Sequence, residues 1–185
     1  MNVRREFPST EPRVLVITGI MAAGKSTVAQ RLTERFPCGV HLRGDVFRRM
    51  IVNARIEMTP SADTDALEQL RLRYRLATTA ADLYCRAGFT VVYQDVILGP
   101  ALQEVVSTLA ARWPTYVVVL CPSAQTVAER EAAREKKGYS DWTPTALDDE
   151  LRTNTPRLGL WLDTSSLSVE GTVEAILTRL LEAAV

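Results

Sequence analysis

The densest chemistry in the sequence lies in GIMAAGKST, from Gly19 to Thr27. The spacing Gly19-x-x-x-x-Gly24-Lys25-Ser26 is that of a loop wrapped around a chain of phosphates. Glycines let the backbone turn its N–H groups onto phosphate oxygens. A helix opening directly after the loop adds unpaired amides and the positive end of its dipole. Lys25 can reach the β and γ phosphates of a nucleoside triphosphate, and the Ser26 hydroxyl can bind Mg²⁺. Gly19, Met21, Ala22, Ala23, Gly24, Lys25, Ser26 and Thr27 are therefore the nucleotide-binding candidates, with ATP expected and GTP as the alternative.

Phosphoryl transfer also needs a carboxylate at the acceptor, a carboxylate near the metal and a cation over the transferring group. Asp45 ends VHLRGD and Asp95 ends FTVVYQD. Asp45 either orients and deprotonates an acceptor hydroxyl or caps the helix that follows. Asp95 either holds the metal and borders the substrate or serves as a turn residue. Arg48, one turn after Asp45, faces the acceptor or solvent. In VAEREAAREKKGY, Arg130 and Arg134 stand four apart and share a helix face. They either close on the transferring phosphate as part of a lid or pair with Glu129, Glu131 and Glu135 on an exposed helix. Arg71, Arg73 and Arg75 alternate with a spacing that gathers no common helix face, and are read as surface residues. Arg152 and Arg157 read as solvated or structural, His41 as a packed strand residue, and Trp113, Trp142 and Trp161 as core or loop anchors, Trp142 with a place near substrate.

These side chains must be held by a frame. RVLVITGI (13–20) is a short β-branched run typical of a strand buried on both faces. Similar strands are expected at 40–45, 89–95, 115–121 and 158–165. Helical spacing occupies 24–35, 46–52, 63–87, 100–112, 123–137, 145–154 and 169–184. The long helix places Leu67, Leu70, Tyr74, Ala77, Ala81 and Tyr84 on one face and stops at Gly88. Strands alternating with helices predict an α/β domain with a parallel five-stranded sheet and helices on both faces. Residues 1–12 read as a flexible leader and 13–185 as one domain.

Composition narrows the partners. Lys+Arg and Asp+Glu both number 22, so no global field draws the chain to nucleic acid or an anionic membrane. Cys38, Cys85 and Cys121 form no CxxC or zinc spacing and suit free thiols in a reducing compartment. The charged N-terminus is no signal peptide, and no apolar run is long enough to span a membrane. The expectation is a cytoplasmic protein with no membrane partner; oligomeric state is open.

Taken in order, GIMAAGKST, GDVFRRM (44–50), VVYQDVILG (91–99), AEREAAR (128–134) and LWLDTSSLSVE (160–170) resemble the chloramphenicol phosphotransferase-like group of P-loop kinases. More distantly they are similar to zeta toxins and polynucleotide 5′-kinases. The resemblance implies strand order 2-3-1-4-5, Asp45 as general base, Asp95 near metal and substrate, and arginines in the helix after the fourth strand. Gln94 stands where the phosphotransferase has the first of two consecutive acids, which turns expectation away from the drug itself. The implied function is ATP- and Mg²⁺-dependent phosphorylation of a hydroxyl on an antibiotic-, sugar- or nucleoside-like molecule. A polynucleotide 5′-hydroxyl kinase, suggested by Asp45-x-x-Arg48, is the first alternative, and a regulatory or toxin-type nucleotide-binding protein the second.

Overall fold

The β-branched runs form strands wherever both faces can be buried, and the computed structural model describes them within residues 11–60, 63–133 and 142–185. In chain order the elements are β1 (Val14–Thr18), α1 (Lys25–Thr33), β2 (Gly39–Arg43), α2 (Asp45–Arg49), α3 (Thr64–Arg86) and β3 (Thr90–Gln94). They continue with α4 (Pro100–Ala110), β4 (Thr115–Leu120), α5 (Ala124–Ala132), α6 (Pro144–Asp149), β5 (Leu160–Leu162) and α7 (Val169–Thr178). A π turn, Glu150–Asn154, continues α6, and a 3-10 turn, Leu180–Ala183, follows α7.

All five strands pair in parallel in the order β2-β3-β1-β4-β5, as the resemblance implied. Val16 lies between Tyr93 and Val117, so β1 is the centre of the sheet. Val14–Ile17 and Val117–Leu120 are wholly buried, the condition that makes their sequences continuously apolar. α1 packs beside α7, and α3 beside α4, with helices on both faces. The chain passes from β1 to one side of the sheet and later crosses to the other. Loops at the carboxyl ends of β1, β2 and β3 therefore converge on a common crevice.

Three expectations change in detail. The buried face of α3 is Ala66, Tyr74, Ala77, Thr78, Ala81 and Cys85, whereas Leu67 and Tyr84 are exposed. Small residues win this face because they let the helix approach the sheet closely. β5 is only three residues long: Gly159 at φ +62° bends the chain into it, and an Asp163–Ser165 turn closes it. Most of the expected leader, residues 1–10, lies outside the described residues.

Candidate active site

Backbone geometry around Gly19 explains the loop's glycine requirement. Gly19 has φ +142°, and a Cβ there would collide with the Leu120 carbonyl of neighbouring β4. Gly24 turns the chain into α1 at φ +92°, and Ala22 is also held in the left-handed region at φ +61°. Gly24 at the N-cap offers no side-chain cap, so the first turn of α1 opens onto the loop. Lys25 is buried, and its Nζ donates to the Ile20 carbonyl at 2.7 Å, which holds the ammonium across the loop. Uncapped amides, an enclosed ammonium and a glycine-lined turn together form a cradle that fits a phosphate chain.

The other wall grows from the ends of β2 and β3. The Gly44 N–H donates to the Gln94 carbonyl at 3.0 Å, which extends the sheet ladder by one residue and delivers Asp45 to the mouth of the crevice. Asp45 opens α2. Its Oδ2 accepts from Arg49, while its Oδ1 is buried without a hydrogen-bond partner among the described residues, 3.8 Å from Arg43 Nε. The guanidinium of Arg48 is taken up by Glu57. An open cavity of about 290 Å³ beside Asp45 is lined by Arg43, Val46, Arg49 and Met50.

Asp95 departs from the metal position expected for it. Its Oδ2 accepts from Arg73 Nε at 2.7 Å and from the Tyr93 hydroxyl at 3.4 Å. Its Oδ1 accepts from the Val96 N–H at 2.8 Å and pairs with Arg73 Nη2. A carboxylate that is only 1% exposed and satisfied at both oxygens is committed to these partners. Gln94 is the side chain that reaches Ser26: the Ser26 hydroxyl donates to Gln94 Oε1 at 3.4 Å. Arg73 is the side chain that sequence reasoning missed. It leaves the surface to enter a buried ion pair, while Arg71 and Arg75 on the same helix remain exposed. Burial pushes the Arg73 guanidinium below its ordinary value and the neighbouring Tyr74 hydroxyl up to about 12. The latter donates to the Val96 carbonyl at 2.8 Å.

Arg130 reaches across from α5. Its Nη2 donates to the Thr164 carbonyl at 2.9 Å and its Nη1 to the Ala23 carbonyl at 3.5 Å, so the guanidinium rests on the phosphate loop. Arg134 lies outside the described residues. Trp142 donates through Nε1 to the Met58 carbonyl at 3.0 Å, which ties the start of α6 to the chain after α2. Arg152 pairs with Asp148, and Arg157 stacks 3.9 Å from the Trp161 ring, both structural uses. His41 sits on β2, its Nδ1 2.9 Å from Gln30 Oε1.

A cationic cradle, a carboxylate at the adjacent strand end and an arginine over the loop can together bind a triphosphate and offer it a hydroxyl. No curated protein matches the chain in sequence. Solved structures share its fold. A sugar kinase from Janibacter sp. HTCC2649 superposes with a TM-score of 0.70 at 20% identity, over 93% of this chain and 96% of its own. The tunicamycin resistance protein of Deinococcus radiodurans gives 0.66 at 19% identity, over 91% and 95%. A gluconokinase from Sinorhizobium meliloti 1021 gives 0.62 at 18% identity, over 94% of each. The family model described as an AAA domain matches residues 14–156, most of the chain, and the protein therefore belongs to that family of P-loop NTPase domains.

Proposed function

We propose that the chain is an ATP- and Mg²⁺-dependent phosphotransferase that moves the γ-phosphoryl group to a hydroxyl of a small molecule, acting in the cytoplasm through the single domain of residues 13–185. The observation that carries this reading is Arg130, whose guanidinium lies against the Ala23 carbonyl of the phosphate loop. Hydrolysis or switching needs a loop that binds nucleotide. A cation over the loop serves hydrolysis and transfer alike; paired with a carboxylate across the crevice, where an acceptor hydroxyl can enter, it favours transfer.

In this mechanism the loop amides and Lys25 hold the β and γ phosphates, Lys25 exchanging the Ile20 carbonyl for phosphate oxygen. Magnesium, when bound at Ser26, neutralises the charge shared by those phosphates. Asp45, at the mouth of the crevice, accepts the acceptor's O–H; its Oδ1 has no hydrogen-bond partner among the described residues. The acceptor oxygen forms its bond to the γ phosphorus as the bond to the β–γ bridging oxygen breaks, ADP leaves, and the hydroxyl proton passes to Asp45. Arg49 and Arg43 flank Asp45, so its chief contribution is orientation of the hydroxyl. Arg130 stabilises the charge developing on the transferred group.

An Asp45→Asn variant is expected to bind nucleotide as the wild type does while losing about 10²–10⁴-fold in transfer rate. ADP release measured over panels of sugars, sugar acids, nucleosides, antibiotics and 5′-hydroxyl oligonucleotides identifies the acceptor. Turnover that no acceptor stimulates and that Asp45→Asn leaves unchanged would overturn the proposal. Oligonucleotide ends are the less favoured acceptors, since Arg48, the residue that reading needs, is engaged by Glu57.

A further inference from the structure

We infer that Gln94 is the positioning residue for the metal ligand Ser26, in a site that lacks the carboxylate expected at this place. The inference rests on the proposed nucleotide site and deepens it. Gln94 ends β3 and is almost wholly buried. Its backbone is paired on both sides, opposite Ile17 of β1 and Arg43 of β2, so the side chain leaves a rigid point. From there Oε1 lies 3.4 Å from Ser26 Oγ. A serine hydroxyl has one proton and two lone pairs. Once the proton is spent on Gln94, the lone pairs of Oγ turn away from the amide and toward the mouth of the loop. That is the orientation a cation ligand needs.

Asp95 cannot take over this task. Arg73 holds both of its oxygens, and the Val96 N–H and Tyr93 hydroxyl add to the clamp. Freeing it would break a buried ion pair. A metal held at Ser26 would therefore have a neutral amide beside its ligand where a carboxylate would contribute a full negative charge. Its binding energy must come mainly from the nucleotide phosphates and from Ser26.

The test uses the full chain and a fluorescent ADP analogue, with Mg²⁺ or Mn²⁺ titrated and bound Mn²⁺ counted by electron paramagnetic resonance. Gln94→Leu removes the acceptor for the Ser26 proton. It is expected to raise the metal midpoint about 10–100-fold while leaving metal-free ADP affinity within about twofold. Gln94→Glu restores the acceptor and adds charge, and is expected to match or tighten the wild-type midpoint. Asp95→Asn is expected to lower the melting temperature with the midpoint unmoved. An unchanged midpoint in Gln94→Leu, or a shift produced by Asp95→Asn instead, overturns the inference while nucleotide binding stands. If Gln94→Leu does not fold, Gln94→Glu decides: a midpoint weaker than wild type overturns the inference. Absence of ADP binding in the wild type would overturn the nucleotide site itself, and the inference with it.

Discussion

Replacing Arg73 by methionine keeps the length of the side chain and strips the Asp95 carboxylate of its only cationic partner among the described residues. The pair is enclosed, with side-chain exposures of 13% for Arg73 and 1% for Asp95, so solvent screens little of the loss. Removing one member of such a pair costs about 3–5 kcal/mol, because the remaining charge stays buried. The Val96 N–H and the Tyr93 hydroxyl soften the penalty without cancelling it. In a chain of this size each kcal/mol moves the melting temperature by about 2–4 °C, so a drop of roughly 6–20 °C is expected. The deficit should shrink as the pH is lowered, since protonation removes the stranded charge. A second variant, Arg73→Met with Asp95→Leu, replaces both charges by apolar groups and is expected to recover most of the loss. Urea titration of wild type, both single variants and the double variant closes the cycle. If Arg73→Met costs under about 1 kcal/mol, the value for an exposed pair, and the double variant recovers nothing, the pair is not the buried clamp described.

Gly44→Ala is expected to lose stability and transfer together. The added Cβ would sit 2.6 Å from Asp95 Cγ and 3.1 Å from Tyr93 Cε2, and the clamped carboxylate cannot yield; overpacking of this kind costs about 1–3 kcal/mol. Burial, with the nearby Arg43, lowers the His41 imidazole below its ordinary 6.5. The unfolded chain then binds the proton first, so stability is expected to fall as pH drops below about 7 through 6.5 and to level off beneath the folded value. Unfolding free energies of wild type and His41→Gln across that window check it, the variant lacking this component. Of the three thiols, Cys38 is exposed, while burial holds the Cys85 thiol up at about 11 and raises Cys121. An aromatic disulfide reagent is expected to titrate one thiol rapidly in the native protein and all three after denaturation; rapid reaction of two or more native thiols would contradict the burial.

What could be read from the sequence was what depends on neighbours in the chain. The phosphate loop is local, and its spacing, strand and helix all lie between Val14 and Thr33. The strands around it are runs of β-branched residues whose burial on both faces confines polar positions to their ends, such as Thr18, Thr90, Gln94 and Thr115. Arg73 was hidden for the opposite reason. The alternation Arg71, Arg73, Arg75 says that the three side chains point to different sides of α3, and only the tertiary placement of the helix decides which side meets Asp95. The same placement decides that Gln94, and not Asp95, is the neighbour of the Ser26 hydroxyl. Asp95 and Gln94 are adjacent in sequence, and a strand sends adjacent side chains to opposite faces, so pattern alone favoured the acid. Leu67 and Tyr84 misled the helix face because their size suggests burial, while the real contact is made by Ala77, Thr78 and Ala81.

The crossover from β2 to β3 has a consequence for how such a chain diversifies. α2 and α3, with Asp45, Arg48, Arg49 and Arg73, all fall between Arg43 and Thr90 in one uninterrupted stretch. The cradle side is spread over the ends of β1, β4 and β5, the start of α1 and the last turn of α5. The two halves of the site thus differ in their genetic accessibility. One is dispersed, so that a single event rarely rewrites it. The other is a cassette anchored at both ends by parallel pairing of β2 with β3, which recombination or grafting could exchange whole. Within that cassette Arg73 must travel with its partner, since Asp95 lies just beyond the boundary and would otherwise be left without its cation.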